Sequence, residues 1–174
     1  MLDKQVSYDR IVPMWGGICE KGAAVLCFHD NRKITSAEWV AAVRKGAIVT
    51  QLRQLWPAHR GMWRLLCDNE SFLRSKESRP ANAAAGLDLV GVPPRSPDLN
   101  PVERYWAWLR KHLRKLDLAD LVAKRKPLTP VQYRARVRSV IKSAKSKQVA
   151  RNCMRGLRKV CSEVVRNGGR ASKG

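Results

Sequence analysis

Two acids stand out for where they fall. Asp68 closes a short apolar run, Trp63-Arg64-Leu65-Leu66-Cys67-Asp68, and Glu103 opens a helix-patterned stretch; 34 residues lie between them. A buried strand in an open α/β sheet presents its working side chains at its carboxyl end, so Asp68 is offered where such sheets hold their sites. Glu103 is delivered to the first turn of a helix at the exit of a rigid loop. Acids offered from a strand end and from a helix start can meet in space. The plainer reading of Glu103 is a helix cap, because Asn-x-x-Glu is a variant of the capping box.

The elements that must position this pair can be read in order. Residues 93–101 contain Pro93, Pro94, Pro97 and Pro101. Each lacks a backbone donor and biases its predecessor away from helical angles, which makes this segment a turn. Asn100 then suits an N-cap, Pro101 the first helical position and Glu103 the third. Trp106, Leu109 and Leu113 follow at helical spacing, flanked by Arg104, Lys111 and Arg114. Upstream, residues 11–19 and 23–28 read as two strands of an antiparallel hairpin turning at Glu20-Lys21-Gly22. The pair Gly16-Gly17 suggests a bulge or close backbone approach. Trp15 reads as core, and His29 and Asp30 as turn residues. Thr35 or Ser36 caps one helix with Trp39, Val40, Val43 and Ala47 on a face, and the pattern runs on to Leu55. Residues 74–86 allow a short helix, and residues 87–92 form a last strand. Beyond a short, weakly helical piece at 117–122, Thr129-Pro130 starts a helix striped by Val137, Val140, Ile141 and Ala144. Residues 147–166 form another, stopped by Asn167-Gly168-Gly169.

The block Ser96-Pro97-Asp98-Leu99-Asn100-Pro101-Val102-Glu103-Arg104-Tyr105-Trp106 resembles the third-acid motif of the mariner-type DDE transposases, relatives of retroviral integrases with a ribonuclease H-like fold. Asp68-Asn69 resembles the family's second acid, and the 34-residue gap is a spacing found in the family. Trp15-Gly16-Gly17-Ile18 looks like its second strand, and residues 154–169 are similar to its closing helix. The resemblance implies an α/β fold: a mixed sheet flanked by helices, with a basic helical extension. It implies a partial catalytic core over residues 1–116, followed by a basic helical region over residues 117–174. The implied chemistry is metal-dependent cleavage and strand transfer of DNA, with Asp68 and Glu103 as catalytic acids and ligands of Mg²⁺ or Mn²⁺. Hard ions of this kind take carboxylate oxygens, and two of them can serve an in-line displacement at phosphorus.

The chain departs from the family in two places. After Asp68-Asn69 the family continues into a small residue, a proline or similar, and a histidine; here Glu70-Ser71-Phe72-Leu73 follows, without the histidine. The family's first Asp lies on the central strand, well before the Trp-Gly-Gly-Ile segment. Here 14 residues precede Trp15, and Asp3 and Asp9 sit in no apolar run. The sequence therefore reads as starting after the first catalytic strand, which leaves the acidic triad incomplete and sheet edges open. Either this is a fragment or decayed copy, or Met1 is a misplaced start. On this reading the chain binds DNA and is inactive alone. The alternative is a non-catalytic, basic nucleic-acid-binding module in which both acids are structural; a different ribonuclease H-like nuclease would need a third acid, and none is evident.

Composition agrees with a polyanionic partner. The 174 residues carry a net charge of +21, and 44% are hydrophobic, enough for a packed domain. Residues 124–174 hold 16 Lys and Arg against one acid, Glu163. Phosphate contacts from such a segment supply affinity independent of base sequence. Arg104 and Arg95 are near enough to the motif to reach phosphates. Five cysteines with no Cys-x-x-Cys pair read as reduced thiols of an intracellular, and in a eukaryote nuclear, protein. No apolar run reaches membrane-spanning length, so DNA rather than a membrane is the expected partner; a homodimer is compatible with this reading.

Overall fold

The computed structural model describes residues 12–22, 24–30, 33–94 and 96–169. Asp3, Asp9, Ile11, Asn31 and Arg95 lie outside the described residues. Strands β1 (Met14–Ile18) and β2 (Ala24–Phe28) form the expected antiparallel hairpin. Its register runs unbroken from Met14 opposite Phe28 to Ile18 opposite Ala24, so the bulge expected at Gly16-Gly17 does not form. Nothing crowds Gly17. Glycine is required instead at Gly22, in the hairpin turn. Its φ is +72°, and a Cβ there would sit 2.5 Å from the Lys147 carbonyl oxygen, so the turn lies flush against the last helix.

The expected single helix from Thr35 to Leu55 is two, α1 (Ser36–Arg44) and α2 (Ala47–Leu55). Gly46 breaks it by taking a left-handed conformation at φ +68°. Its N–H closes on the Val43 carbonyl at 2.9 Å. The break turns α2 onto β2. Gln51 Oε1 accepts from the Leu26 N–H at 3.1 Å, and Gln51 Nε2 donates to the Leu26 carbonyl at 3.0 Å. A side-chain amide thus covers, at Leu26, part of the strand edge that the sequence left open.

Strands β3 (Trp63–Cys67) and β4 (Leu87–Gly91) pair in parallel. A parallel pair needs a crossover, and here it is a 3-10 turn, Ser71–Leu73, followed by α3 (Ser78–Ala84). Among the described residues, the expected mixed sheet is present as two separate two-stranded ladders, one antiparallel and one parallel. No described strand bridges them.

Among the described residues three more helices follow, α4 (Pro101–Val122), α5 (Pro130–Lys142) and α6 (Ala144–Arg166). Residues 117–122 are the unbroken continuation of α4, so the division expected after residue 116 falls inside a helix. Ser143 ends α5 and caps α6, its hydroxyl donating to the Val140 carbonyl at 2.6 Å and accepting from the Ser146 N–H at 3.2 Å.

Side-chain alternation on the hairpin divides the interior. Trp15 joins a cluster built from α1, α2, β3, α3 and β4, centred on the fully buried Trp39. Trp15 meets Trp39 edge-on at 4.9 Å, as a core residue should. Met14, Ile18, Leu26 and Phe28 face the second cluster, built from α4, α5 and α6. Its α4 stripe is Tyr105, Leu109 and Leu113, so Tyr105 rather than Trp106 takes the deepest place; its hydroxyl is 2.7 Å from Ser146 Oγ. His29, expected as a turn residue, directly follows β2 and is 5% exposed. The Arg134 guanidinium donates to its carbonyl at 2.8 Å and ties β2 to α5.

Candidate functional site

Asp68 follows directly on β3, half-buried, at the carboxyl end of the parallel pair. Cys67 lies opposite Gly91, and the Val92 N–H extends the ladder by donating to the Cys67 carbonyl at 2.9 Å. Asn69 fastens the same junction: its side-chain Nδ2 donates to the Val92 carbonyl at 2.7 Å. The end of β3, which carries Asp68, is therefore fixed to the segment that leaves β4 toward Glu103.

That segment passes through a 3-10 turn, Pro97–Leu99, into α4. Asn100 is the N-cap, extended and buried, and Pro101 occupies the first helical position. Asn100 makes no side-chain cap bond, so the capping box allowed by the sequence does not form. Glu103 sits exposed in the first turn, its N–H donating to the Asn100 carbonyl at 3.1 Å. Among the described residues, neither the Asp68 nor the Glu103 carboxylate has a hydrogen-bonded or ion-paired partner. Asp68 is partly open to solvent and Glu103 is exposed, and the helix N-terminus favours negative charge at Glu103.

The chain belongs to the DDE superfamily endonucleases. A model of that family matches residues 4–122. The fold is also that of a mariner transposase core. Two structures of the Mos1 transposase catalytic domain with raltegravir, one with Mn and one with Mg, each cover 95% of this chain and 86% of their own. They are 11% identical to it, with TM-scores of 0.65 and 0.66. A crystal structure of the catalytic domain of Mos1 mariner transposase covers 97% of this chain and 90% of its own, at 11% identity and a TM-score of 0.65. No curated protein matches the sequence.

By donor type alone, Asp68 and Glu103 of this DDE superfamily chain suit a divalent ion. The two unengaged carboxylates are hard oxygen donors of the kind Mg²⁺ and Mn²⁺ prefer, and Mg²⁺ is often held by one or two carboxylates with substrate phosphates completing its shell. Among the described residues, no group of three or more His, Cys, Asp or Glu side chains is placed to hold a metal.

Exposed basic residues are spread over α4, α5 and α6. Arg104 lies along α6, its Nη1 within 3.3 Å of where a Cβ on Gly156 would be. The solvent side of α4 carries a shallow groove lined by Ala107, Arg110, Lys111, Arg114, Lys115 and Leu118, four cations and no acid. A second groove on α5 contains Arg138 and Lys142. On α6, Lys145, Lys147, Arg155 and Arg158 are exposed. Arg136 is different, being paired with both Asp117 and Asp120. Among the described residues, no helix is long and apolar enough to cross a membrane.

Two residues near Asp68 escaped the sequence reading, Arg74 and Gly91. A Cβ on Gly91 would overlap Arg74 Nη2 and lie 2.5 Å from Asn69 Oδ1. A glycine ending a strand, opposite the residue before an acid, was the signal that a side chain crosses the backbone there.

Proposed function

We propose that this chain is the DNA-handling core of a transposase of its superfamily, with Asp68 and Glu103 as the acids that hold a divalent ion, Mg²⁺ or Mn²⁺. The observation that supports this best is the pair of unengaged carboxylates at the end of β3 and the start of α4. When bound, such an ion activates an attacking oxygen and stabilises a leaving one in phosphodiester cleavage and strand transfer. The chain's own part is to hold two acids at element ends and to bring DNA to them. Exposed cations on α4, α5 and α6 grip phosphates without reading bases. This reading assigns two carboxylates among the described residues, one fewer than the three acids that usually hold two ions, and on it the chain alone binds DNA and one ion but does not cut efficiently.

Fluorescence anisotropy with a duplex at several salt concentrations tests the DNA half. Binding should weaken steeply, with a log–log slope of several units, one for each phosphate neutralised. Absence of binding at moderate salt removes the DNA half. A supercoiled plasmid with Mn²⁺ tests the rest. Nicking that disappears in Asp68→Ala or Glu103→Ala would show a competent enzyme and overturn the assignment of inactivity. Binding and fold unchanged in Asp68→Asn/Glu103→Gln, with no change in ion affinity, would favour the purely structural role of the two acids.

A further inference from the structure

The segment after Asp68 does not simply leave the site. The 3-10 turn Ser71–Leu73 doubles the chain back, and Arg74 closes it with its N–H on the Ser71 carbonyl at 3.2 Å. This turn is anchored in the core. Trp39 Nε1 donates to Asn82 Oδ1 at 2.9 Å, and Asn82 Nδ2 donates to the Leu73 carbonyl at 3.0 Å. From that fixed base the Arg74 side chain returns to the carboxyl ends of β3 and β4. It passes over the Gly91 backbone, beside Asn69 Oδ1, in space that any Cβ at position 91 would take. It also lies near the Cys67 thiol, whose pKa burial raises while the guanidinium pulls it down.

Arg74 Nε and Nη2 are buried and, among the described residues, have no hydrogen-bond partner. Guanidinium nitrogens held out of water without a well-formed oxygen partner are costly unless they gain from their surroundings, here the neighbouring Cys67 thiol. Asn69 Oδ1 packs against the same Gly91 position without accepting a hydrogen bond from Arg74 Nε or Nη2, and the other end of the same amide grips the Val92 carbonyl.

We propose that Arg74 is a positioning residue: with Asn69 and Gly91 it forms a clasp that locks the end of β3 to the end of β4, and so fixes Asp68 relative to the segment that carries Glu103. The link to ion binding rests on the reading of Asp68 and Glu103 given above; the clasp itself does not.

The test uses the full chain, with Mn²⁺ alone as the probe, and three variants: Arg74→Gln, Arg74→Lys and Gly91→Ala. Hydrogen exchange at the Val92 amide reads the clasp without metal. It should quicken at least several-fold in Arg74→Gln and Gly91→Ala, with far-UV circular dichroism unchanged. Unaltered exchange at Val92 overturns the clasp, whatever the metal does. Mn²⁺ titration reads the consequence. Arg74→Gln should weaken binding about tenfold, as loss of a supporting contact does, with Arg74→Lys between it and the native chain because an ammonium lacks the planar fork. Were Arg74 only a nearby positive charge, its removal would tighten Mn²⁺ binding, so tighter or unchanged binding in Arg74→Gln overturns the positioning role. An Asp68→Asn control separates the two readings. If it leaves Mn²⁺ affinity unchanged, the ion assignment falls and the exchange result alone decides the clasp.

Discussion

Among the described residues, three helices begin with a polar cap followed three residues later by Glu or Gln, and one of the three does not use it. At α1, the Glu38 N–H donates to Thr35 Oγ1 at 3.3 Å, and Glu38 Oε2 accepts from the Thr35 N–H at 2.8 Å. At α5, Thr129 and Gln132 make the same reciprocal pair, at 3.3 and 2.9 Å. At α4, Asn100 is buried and makes no side-chain cap bond, and Glu103 stands in the first turn with its carboxylate unengaged. The orphan donors of a helix start are satisfied in two cases by the local sequence. In the third, Pro101 removes one donor and the buried Asn100 makes no side-chain bond to the helix start. The difference teaches that a glutamate at this position is a cap only when its partner is free to reciprocate. A glutamate left over from capping is free for chemistry.

The sharpest way to break this contrast is metal binding. Glu103→Gln and Asp68→Asn should each weaken Mn²⁺ binding by at least ~10-fold, since even loss of a supporting contact costs that much, whereas Glu38→Gln should leave it unchanged. Isothermal titration or Mn²⁺ electron paramagnetic resonance measures it. Equal affinity across all three variants would put Glu103 back among ordinary helix residues.

Stability should run the other way. Thr35→Ala and Thr129→Ala should each cost about 1 kcal/mol in urea unfolding through loss of a cap. Glu103→Ala should stay within about 0.5 kcal/mol, as an exposed side chain without partners does. A loss of 1 kcal/mol or more at Glu103 would mean that it caps α4 after all.

The smallest expected effect concerns an acid that is engaged, Asp120. The Arg136 guanidinium holds its carboxyl below the usual carboxylate range, and Arg125 adds to this. A depressed folded-state pKa contributes stability that is fully present above the unfolded value, near 3.9, and is lost as pH falls through the folded one. Thermal unfolding followed below about pH 4 should therefore fall less steeply in Asp120→Asn than in the native chain. Parallel curves would show that the Arg136–Asp120 pair does not contribute to acid sensitivity.

Much of the fold was legible because its signals are local. The proline turn, the apolar run before Asp68 and the stripes of α5 and α6 each express a period or a breaker within a few residues. The break at Gly46 was not legible, because isolated glycines also occur inside helices and only the packing of α2 on β2 selects the left-handed form. Tyr105 displaced Trp106 from the deepest place because a buried hydroxyl needs a partner, and Ser146 lies 41 residues away. The burial of His29 was illegible for a similar reason: the Arg134 that bonds its carbonyl belongs to α5.

By itself, the sequence determined that two acids end one element and begin another, that the chain carries +21 charges with the excess toward its end, and which family it resembles. These are properties of residue type and short-range order. Only the tertiary structure decided that Glu103 is not spent on capping, that Gln51 covers a strand edge, and that Arg74 returns over Gly91 to the end of β3. Each of those depends on what occupies the space beside a residue. Contacts between distant segments form only when the folded chain brings them together, so no local pattern can announce them.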